Sequence, residues 1–276
     1  MSVRSTRWRA APALITAGVA AAMLVLAGPA GAVTGTAEIS PEQAGYTATG
    51  AQFKTVTASV YLRQPGQYSG EVASFSHSVQ LWSSDLVVTL EAQATAAGYL
   101  AYTHIYDRST HAEIPFPAGQ WCNPSGGCGP DPVPWPFGST LTLRISYSPA
   151  DGHLIMTEND SGSRFIASGA ATGQSFTQAR VGTEFGSSPW DGSYSYTPPA
   201  QYTKVAAYTA VALTSYSGHT ATLWSWWTHH KLLANTEQQS GSDWVAIPTD
   251  LTNGGANFQT WFVPQSAQGR AQPTLP

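Results

Sequence analysis

The side chains best suited to acid–base chemistry in this chain are a few glutamates and the glutamines near them. In QARVGTEFG (178–186), Val181, Thr183 and Phe185 alternate with Arg180, Gly182 and Glu184. Read as a strand, the stretch puts a guanidinium and a carboxylate on one face, four residues apart. In LVVTLEAQA (86–94), Glu91 and Gln93 share a face in the same way. A carboxylate half-buried in a sheet face can have a raised pKa and serve as general acid or base. The structural alternative is an outer-face carboxylate paired with Arg180. Two-carboxylate glycoside chemistry needs a pair of acids flanking the scissile bond. Glu158 and Asp160 share a face, but they run into NDSGS, and Ser163 stands where the last acid of an E-x-D-x-x-E strand would fall. That pair reads as turn chemistry.

His229 and His230 are adjacent, and neighbours on a strand point to opposite faces, so they do not converge on one metal. They read as loop or surface histidines. No nucleophile elbow, phosphate-binding loop, dinucleotide fingerprint or H-E-x-x-H motif is present. Cys122 and Cys128 frame CNPSGGC. In an oxidising compartment a pair this close forms a disulfide, worth roughly 2–2.5 kcal/mol for so small a loop. Two thiols without nearby histidines are too few for a metal site, so no metal and no cofactor is expected. Tryptophans are frequent. Trp224, Trp226 and Trp227, with Trp82, Trp121, Trp135 and Trp190, are either sandwich core or the lining of a sugar or peptide groove.

These residues must be positioned by strands. After residue 43 the chain is built of short alternating runs broken by Gly, Pro, Asn and Asp. The runs are 53–62, 72–81, 86–94, 99–107, 139–148, 153–159, 163–169, 175–185, 204–215, 221–227 and 256–264. Turns are legible at SPADG (148–152) and NDSGS (159–163). Such spacing predicts an all-β, two-sheet antiparallel sandwich or jelly roll. The stretch from Ile114 to Phe137 holds seven prolines and both cysteines, and reads as a long ordered loop.

The N-terminus predicts export. Three arginines in MSVRSTRWR precede an apolar run, and small residues follow at Ala30 and Ala32. This is the order of a secretory signal peptide, residues 1–32, cleaved after Ala32. Cleavage takes away three of the 12 basic residues and none of the 16 acidic ones, so the mature balance is 9 − 16 = −7. Such a surface gives nucleic acid no electrostatic footing. No membrane association is expected after cleavage, and the protein is expected to act as a monomer. Residues 33–42 and 265–276 read as frayed ends around one domain spanning 43–264.

The order of segments resembles the secreted glutamic peptidases, the eqolisins. AGYTATGAQFKTVTASVYLRQP (44–65) looks like the family's W-x-G-Y…G-x-F-x-x-V-x-x-x-W-x-V-P opening. LVVTLEAQATAAGYLAYTHIYD (86–107) is similar to its L-x-Q-x-G-T-E-Q…Y-x-A-W-x-E-x-x-P strand pair, and FGSTLTLRISYSPADGHLIMTENDSGSRF (137–165) to its central hairpins. ARVGTEFG (179–186) stands where A-E-W-I-x-E-x-P is expected. PTDLTNGGANFQTWF (248–262) looks like the closing P-S-x-L-x-x-D-G-x-S-F-x-V-x-Y. The resemblance implies a lectin-like (concanavalin A-like) β-sandwich. It also implies a facing glutamine and glutamate: the glutamate activates water and the glutamine amide stabilises the oxyanion.

Carried over residue by residue, the match leaves this dyad incomplete. Val88 falls where the glutamine belongs, Arg180 on the first acid, Glu184 on the second, and His104 on the glutamate of Y-x-A-W-x-E. Losing the amide removes an oxyanion donor, on the order of 3–4 kcal/mol of transition-state stabilisation, and a guanidinium accepts no proton. The leading expectation is therefore an eqolisin-like sandwich with a degenerate peptidase site and a groove for peptide or glycan. The alternative is an active acid endopeptidase using Glu184 with Gln93 or Gln80. A third reading is a carbohydrate-binding module using Trp224, Trp226 or Trp227.

Overall fold

Alternation of apolar and polar side chains produces strands along most of the described chain. The computed structural model describes residues 38–40, 43–64, 75–95, 97–115, 121–122, 128–129, 134–158, 164–167, 171–185, 201–226, 228–235, 244–264 and 266. Residues 1–32, expected to be a signal peptide, Asp160, Ser163, Trp190, Trp227 and nearly all of 265–276 lie outside them. In chain order the strands are β1 (Glu38–Ser40), β2 (Gln43–Thr49), β3 (Phe53–Tyr61), β4 (Phe75–Trp82), β5 (Leu86–Thr95) and β6 (Gly98–Asp107). Then come β7 (Trp121–Cys122), β8 (Cys128–Gly129), β9 (Thr140–Ser148), β10 (His153–Glu158), β11 (Arg164–Ala167) and β12 (Gln178–Phe185). The last are β13 (Thr203–Ser215), β14 (Thr220–Ala221), β15 (Thr228–Asn235), β16 (Trp244–Pro248) and β17 (Phe258–Phe262).

Hydrogen bonding runs in the order β11-β10-β9-β3-β13-β17-β16-β15-β2-β12-β4-β5-β6, antiparallel throughout. The ribbon folds over on itself into a β-sandwich. β3 packs across β4 and β12, β9 across β4 and β5, and β13 across β12. Between the layers lie Tyr46, Phe53, Val56, Phe75, Val79, Leu81, Val88, Leu90, Leu143, Ile145, Val181, Leu213, Phe258 and Phe262, all buried. Each such side chain contributes about 1.5–3 kcal/mol when fully buried, which is what holds the layers face to face. Among the described residues no helix is long and apolar enough to cross a membrane.

Most of the expected runs are strands within a few residues, and the 148–152 turn joins β9 to β10. Three departures have physical causes. ATLWSWW is a short strand and then a 3-10 turn, Leu223–Ser225, anchored by the buried Leu223. THHKLLAN, which lacks clean alternation, is strand β15 because β2 and β16 pair with it on either side; tertiary pairing overrides weak local preference. Within the segment expected to fray, β1 pairs in parallel with β15. In the proline-rich stretch, β7 and β8 form a small ladder that sets Cys122 directly opposite Cys128.

Candidate functional site

The layer formed by β2, β12, β4, β5 and β6 has one apolar face and one polar face, and both are buried along much of β2, β4 and β5. Directly opposed residues of antiparallel strands share a face, so the register lines up rows on the polar side. One row is Gln43–Glu184–Ser76–Gln93, and the next is Gly45–Gly182–Ser78–Glu91–Tyr102. A third is Thr47–Arg180–Gln80–Thr89–His104, and a fourth Gln178–Trp82–Val87–Tyr106.

Gln80 and Glu184 meet across these rows. The Gln80 amide donates from Nε2 to Glu184 Oε1 at 2.7 Å, and its Oε1 accepts from Trp82 Nε1 at 2.7 Å. An indole N–H only donates, so Trp82 fixes which end of the amide faces the carboxylate. Trp82 is in turn held under Arg180, whose guanidinium carbon lies 3.9 Å from the ring centroid; Arg108 stands 5.3 Å away. Gln80 and Glu184 are 2% and 5% exposed. The contact spans two rows because Gly182, between them, has no side chain. Gln43 uses the same gap to donate to Ser78 Oγ at 3.1 Å.

Glu91 forms a second polar cluster. Ser76 Oγ donates to its Oε2 at 2.8 Å, and His104 Nε2 lies 3.5 Å from its Oε1. His104 Nδ1 lies 2.8 Å from Glu113 on the loop after β6. Burial disfavours the imidazolium, but hydrogen bonds and charge from Glu91 and Glu113 outweigh it, and the His104 pKa rises from 6.5 to about 9. A folded pKa above the free value means that this stability is complete below pH 6.5 and is lost as pH rises through about 9. Discounted for its partial exposure, the contribution is about 2 kcal/mol. Urea melts at pH 6.5 and 10 should show that loss in the wild type and a smaller one in His104→Gln; equal losses would remove the assignment.

Beneath this face, in the core, His77 is fully buried. Tyr99 donates its hydroxyl proton to the Arg63 carbonyl at 2.9 Å, so its oxygen is left to accept from His77 Nε2 at 3.3 Å. His77 Nδ1 then accepts, with the hydroxyls of Thr183 and Tyr208 each 3.3 Å away. Thr260 closes the network through Thr183 at 2.9 Å. Burial lowers the His77 pKa from 6.5 to about 3, so the ring is neutral and ties β4 to β6, β12, β13 and β17.

The structure places Arg180 and Glu184 on one face, as their alternation requires. Gln93 is on that face too, but Ser76 stands between it and Glu184 in the row, and Gln80 is the glutamine that reaches the carboxylate. Val88 points into the core; the β5 residue on the polar face beside it is Thr89, which also lacks an amide. His104 stands opposite Thr89 on β6. Glu158 is a buried anchor that accepts from Trp135 Nε1 at 2.8 Å, rather than a turn residue. Trp224 is 42% exposed, whereas Trp226 is 7% exposed with its ring edge-on to Phe53, so Trp226 has no open face for a sugar. The side chains of Cys122, Cys128, His229 and His230 lie outside the described residues. Gln80 is one of the two glutamines that the sequence offers as a partner for Glu184; Trp82, two residues on in SHSVQLW, carries no local mark of its hold on that amide. Among the described residues no group of three or more His, Cys, Asp or Glu is placed to hold a metal ion.

No family model matches the chain, and no curated protein matches its sequence. Solved structures do match its fold. Eqolisin-family peptidase SCP-B, in complex with the tripeptide Ala-Ile-His, is 13% identical, with 80% of this chain and 98% of that chain covered at a TM-score of 0.50. Scytalido-glutamic peptidase with a transition state analog inhibitor has the same identity and coverage at a TM-score of 0.49. The chain has an eqolisin-like β-sandwich fold.

Proposed function

We propose that the mature protein is an exported eqolisin-fold sandwich that binds peptide on the polar face of β2, β12, β4, β5 and β6 without cleaving it. The 2.7 Å contact between Gln80 and Glu184 carries this reading. Glutamic-dyad hydrolysis needs a water at the carboxylate and an amide N–H aimed at the developing oxyanion. Here one amide N–H is on the carboxylate itself and the amide oxygen is on Trp82, so the amide is held against the carboxylate rather than aimed at an oxyanion. The first acid position of the family pattern carries Arg180, and Thr89, on the polar face beside the core-facing Val88, has no amide. The tripeptide bound by SCP-B supports peptide as the ligand class. The basic–apolar–small order of residues 1–32 supports export with Val33 as the first mature residue, and the facing of Cys122 and Cys128 supports a disulfide.

A second reading, an active acid endopeptidase with Glu184 as base and Gln80 as amide, is favoured by the same convergence of the two side chains. Incubating secreted protein that begins at Val33 with denatured casein from pH 2 to 5 separates the two. The expected result is no digestion above a protein-free control. Digestion that disappears in Glu184→Gln would establish the second reading instead.

A further inference from the structure

Trp224 belongs to none of the rows of the polar face. It lies in a corner made by two 3-10 turns, Leu223–Ser225 and Asn253–Gly255, which pack on each other. It is 42% exposed, while Leu223 and Trp226 on either side of it are buried. A single exposed aromatic is ordinary on a protein surface. This one is set on an unusual backbone. Asn253, Gly254 and Gly255 run consecutively at φ 50°, 64° and 87°, and Ala210, at the bulge of β13, is at φ 52°. Residues with a side chain adopt this left-handed region at a cost, and such strain persists where the surroundings enforce it. The second turn is tied down from two sides. Thr222 Oγ1 donates to the Gly254 carbonyl at 2.5 Å. On β13, the Ala210 N–H donates to Asn257 Oδ1 at 3.3 Å and the Val211 N–H to the Ala256 carbonyl at 2.9 Å. Gly255 lies directly against the tryptophan: a Cβ there would stand 2.6 Å from Trp224 N and 2.7 Å from its Cγ. The root of the indole is thus fixed before any ligand arrives.

The surroundings decide what the corner fits. Residues 205–228 and 251–264 contain no Lys, Arg, Asp or Glu, so a charged ligand meets no counter-charge from either segment. Ser225, Thr252 and Asn253 are exposed in and beside the two turns, and their hydroxyls and amide both donate and accept hydrogen bonds. A sugar ring has an apolar C–H face, which packs on an aromatic face. Its rim of hydroxyls needs neutral donors and acceptors. We infer that Trp224 is the stacking platform of a binding site for a neutral glycan, with Ser225, Thr252 and Asn253 serving the sugar hydroxyls. The site is separate from the peptide-binding reading and does not depend on it.

The test is native affinity electrophoresis of the mature protein in gels that contain mixed-linkage β-glucan, glucomannan, xylan or dextran, with carboxymethylcellulose as the charged counterpart. At least one neutral polysaccharide is expected to retard the wild type. Trp224→Ala removes the platform and should raise the apparent Kd about tenfold. Asn253→Gly removes the amide but keeps the left-handed backbone, and should also weaken binding about tenfold. Both changes are at exposed positions, so each variant should melt within about 4 °C of wild type. If Trp224→Ala does not fold, Asn253→Gly carries the test. A wild type that no neutral polysaccharide retards, retardation by carboxymethylcellulose alone, or folded variants that bind glycan as tightly as wild type would each overturn the inference. So would a Trp224→Ala protein that loses retention of peptides from a tryptic digest of casein while glycan binding stays unchanged, which would assign the indole to a protein partner.

Discussion

Acidification from pH 6.5 to 3 is expected to cost the wild-type fold on the order of 4–5 kcal/mol through His77 alone. The folded pKa of about 3 lies below the free value of 6.5 because burial excludes the charged ring. Stability from this residue is therefore complete above pH 6.5. It is lost as pH falls toward 3, where the unfolded chain takes up a proton that the folded one refuses. Among the described residues no carboxylate faces the ring to offset this: its hydrogen-bonding neighbours are Tyr99, Thr183 and Tyr208, and Phe75 packs beside it. Small domains have only about 5–15 kcal/mol in total, so the loss is a large fraction. Urea unfolding of wild type and His77→Gln between pH 7 and 3.5 measures it. The variant keeps a donor and an acceptor but does not titrate. It should be weaker at pH 7 and show a shallower decline in acid; parallel declines would show that His77 is not the source.

Gly45→Ala is expected to destabilise the protein by about 3 kcal/mol, the upper end of ordinary overpacking, and to lower Tm by roughly 6–12 °C. A Cβ at Gly45 would sit 2.1 Å from the Val181 carbonyl oxygen and 2.6 Å from Gly182 Cα. Both obstacles are backbone, so no side-chain rotation relieves them, and β2 must move away from β12. Gly182 answers in kind, since its own Cβ would meet the Ala44 carbonyl oxygen at 2.6 Å. The glycine pair thus permits a close backbone approach and opens the gap through which Gln80 reaches Glu184. Gly218→Ala is the control: its added Cβ meets nothing within 4 Å, though the residue has φ +90°. It should therefore show only the smaller cost of a left-handed alanine, about 1–2 kcal/mol. A Gly45→Ala protein that melts within a degree of wild type would refute the close approach.

The glycine pair explains why a carboxylate stands two residues from a glycine and four from an arginine on β12. Glu184 receives an amide from β4 over the space that Gly182 leaves, and Arg180 is drawn aside onto the Trp82 ring. The three residues form one arrangement, although the sequence shows them only as neighbours on a strand.

The sequence by itself determined what depends on short range. Alternation with period two assigned Val181 and Thr183 to one face of β12 and Arg180, Gly182 and Glu184 to the other, and it marked the turn between β9 and β10. The segment order carried the eqolisin-like fold. Tertiary structure alone decided the pairing across the sheet. Gln80 and Glu184 are 104 residues apart, and alternation says which face each occupies but nothing about which residues stand opposite. That register comes from how β4, β12 and β2 pack over a shared core, and a slip of one residue exchanges faces. Val88 shows the consequence: matched by segment order it stood in the glutamine's place, but packing turned it into the core and left Thr89 on the polar face. The same holds for His77, whose partners come from three other strands.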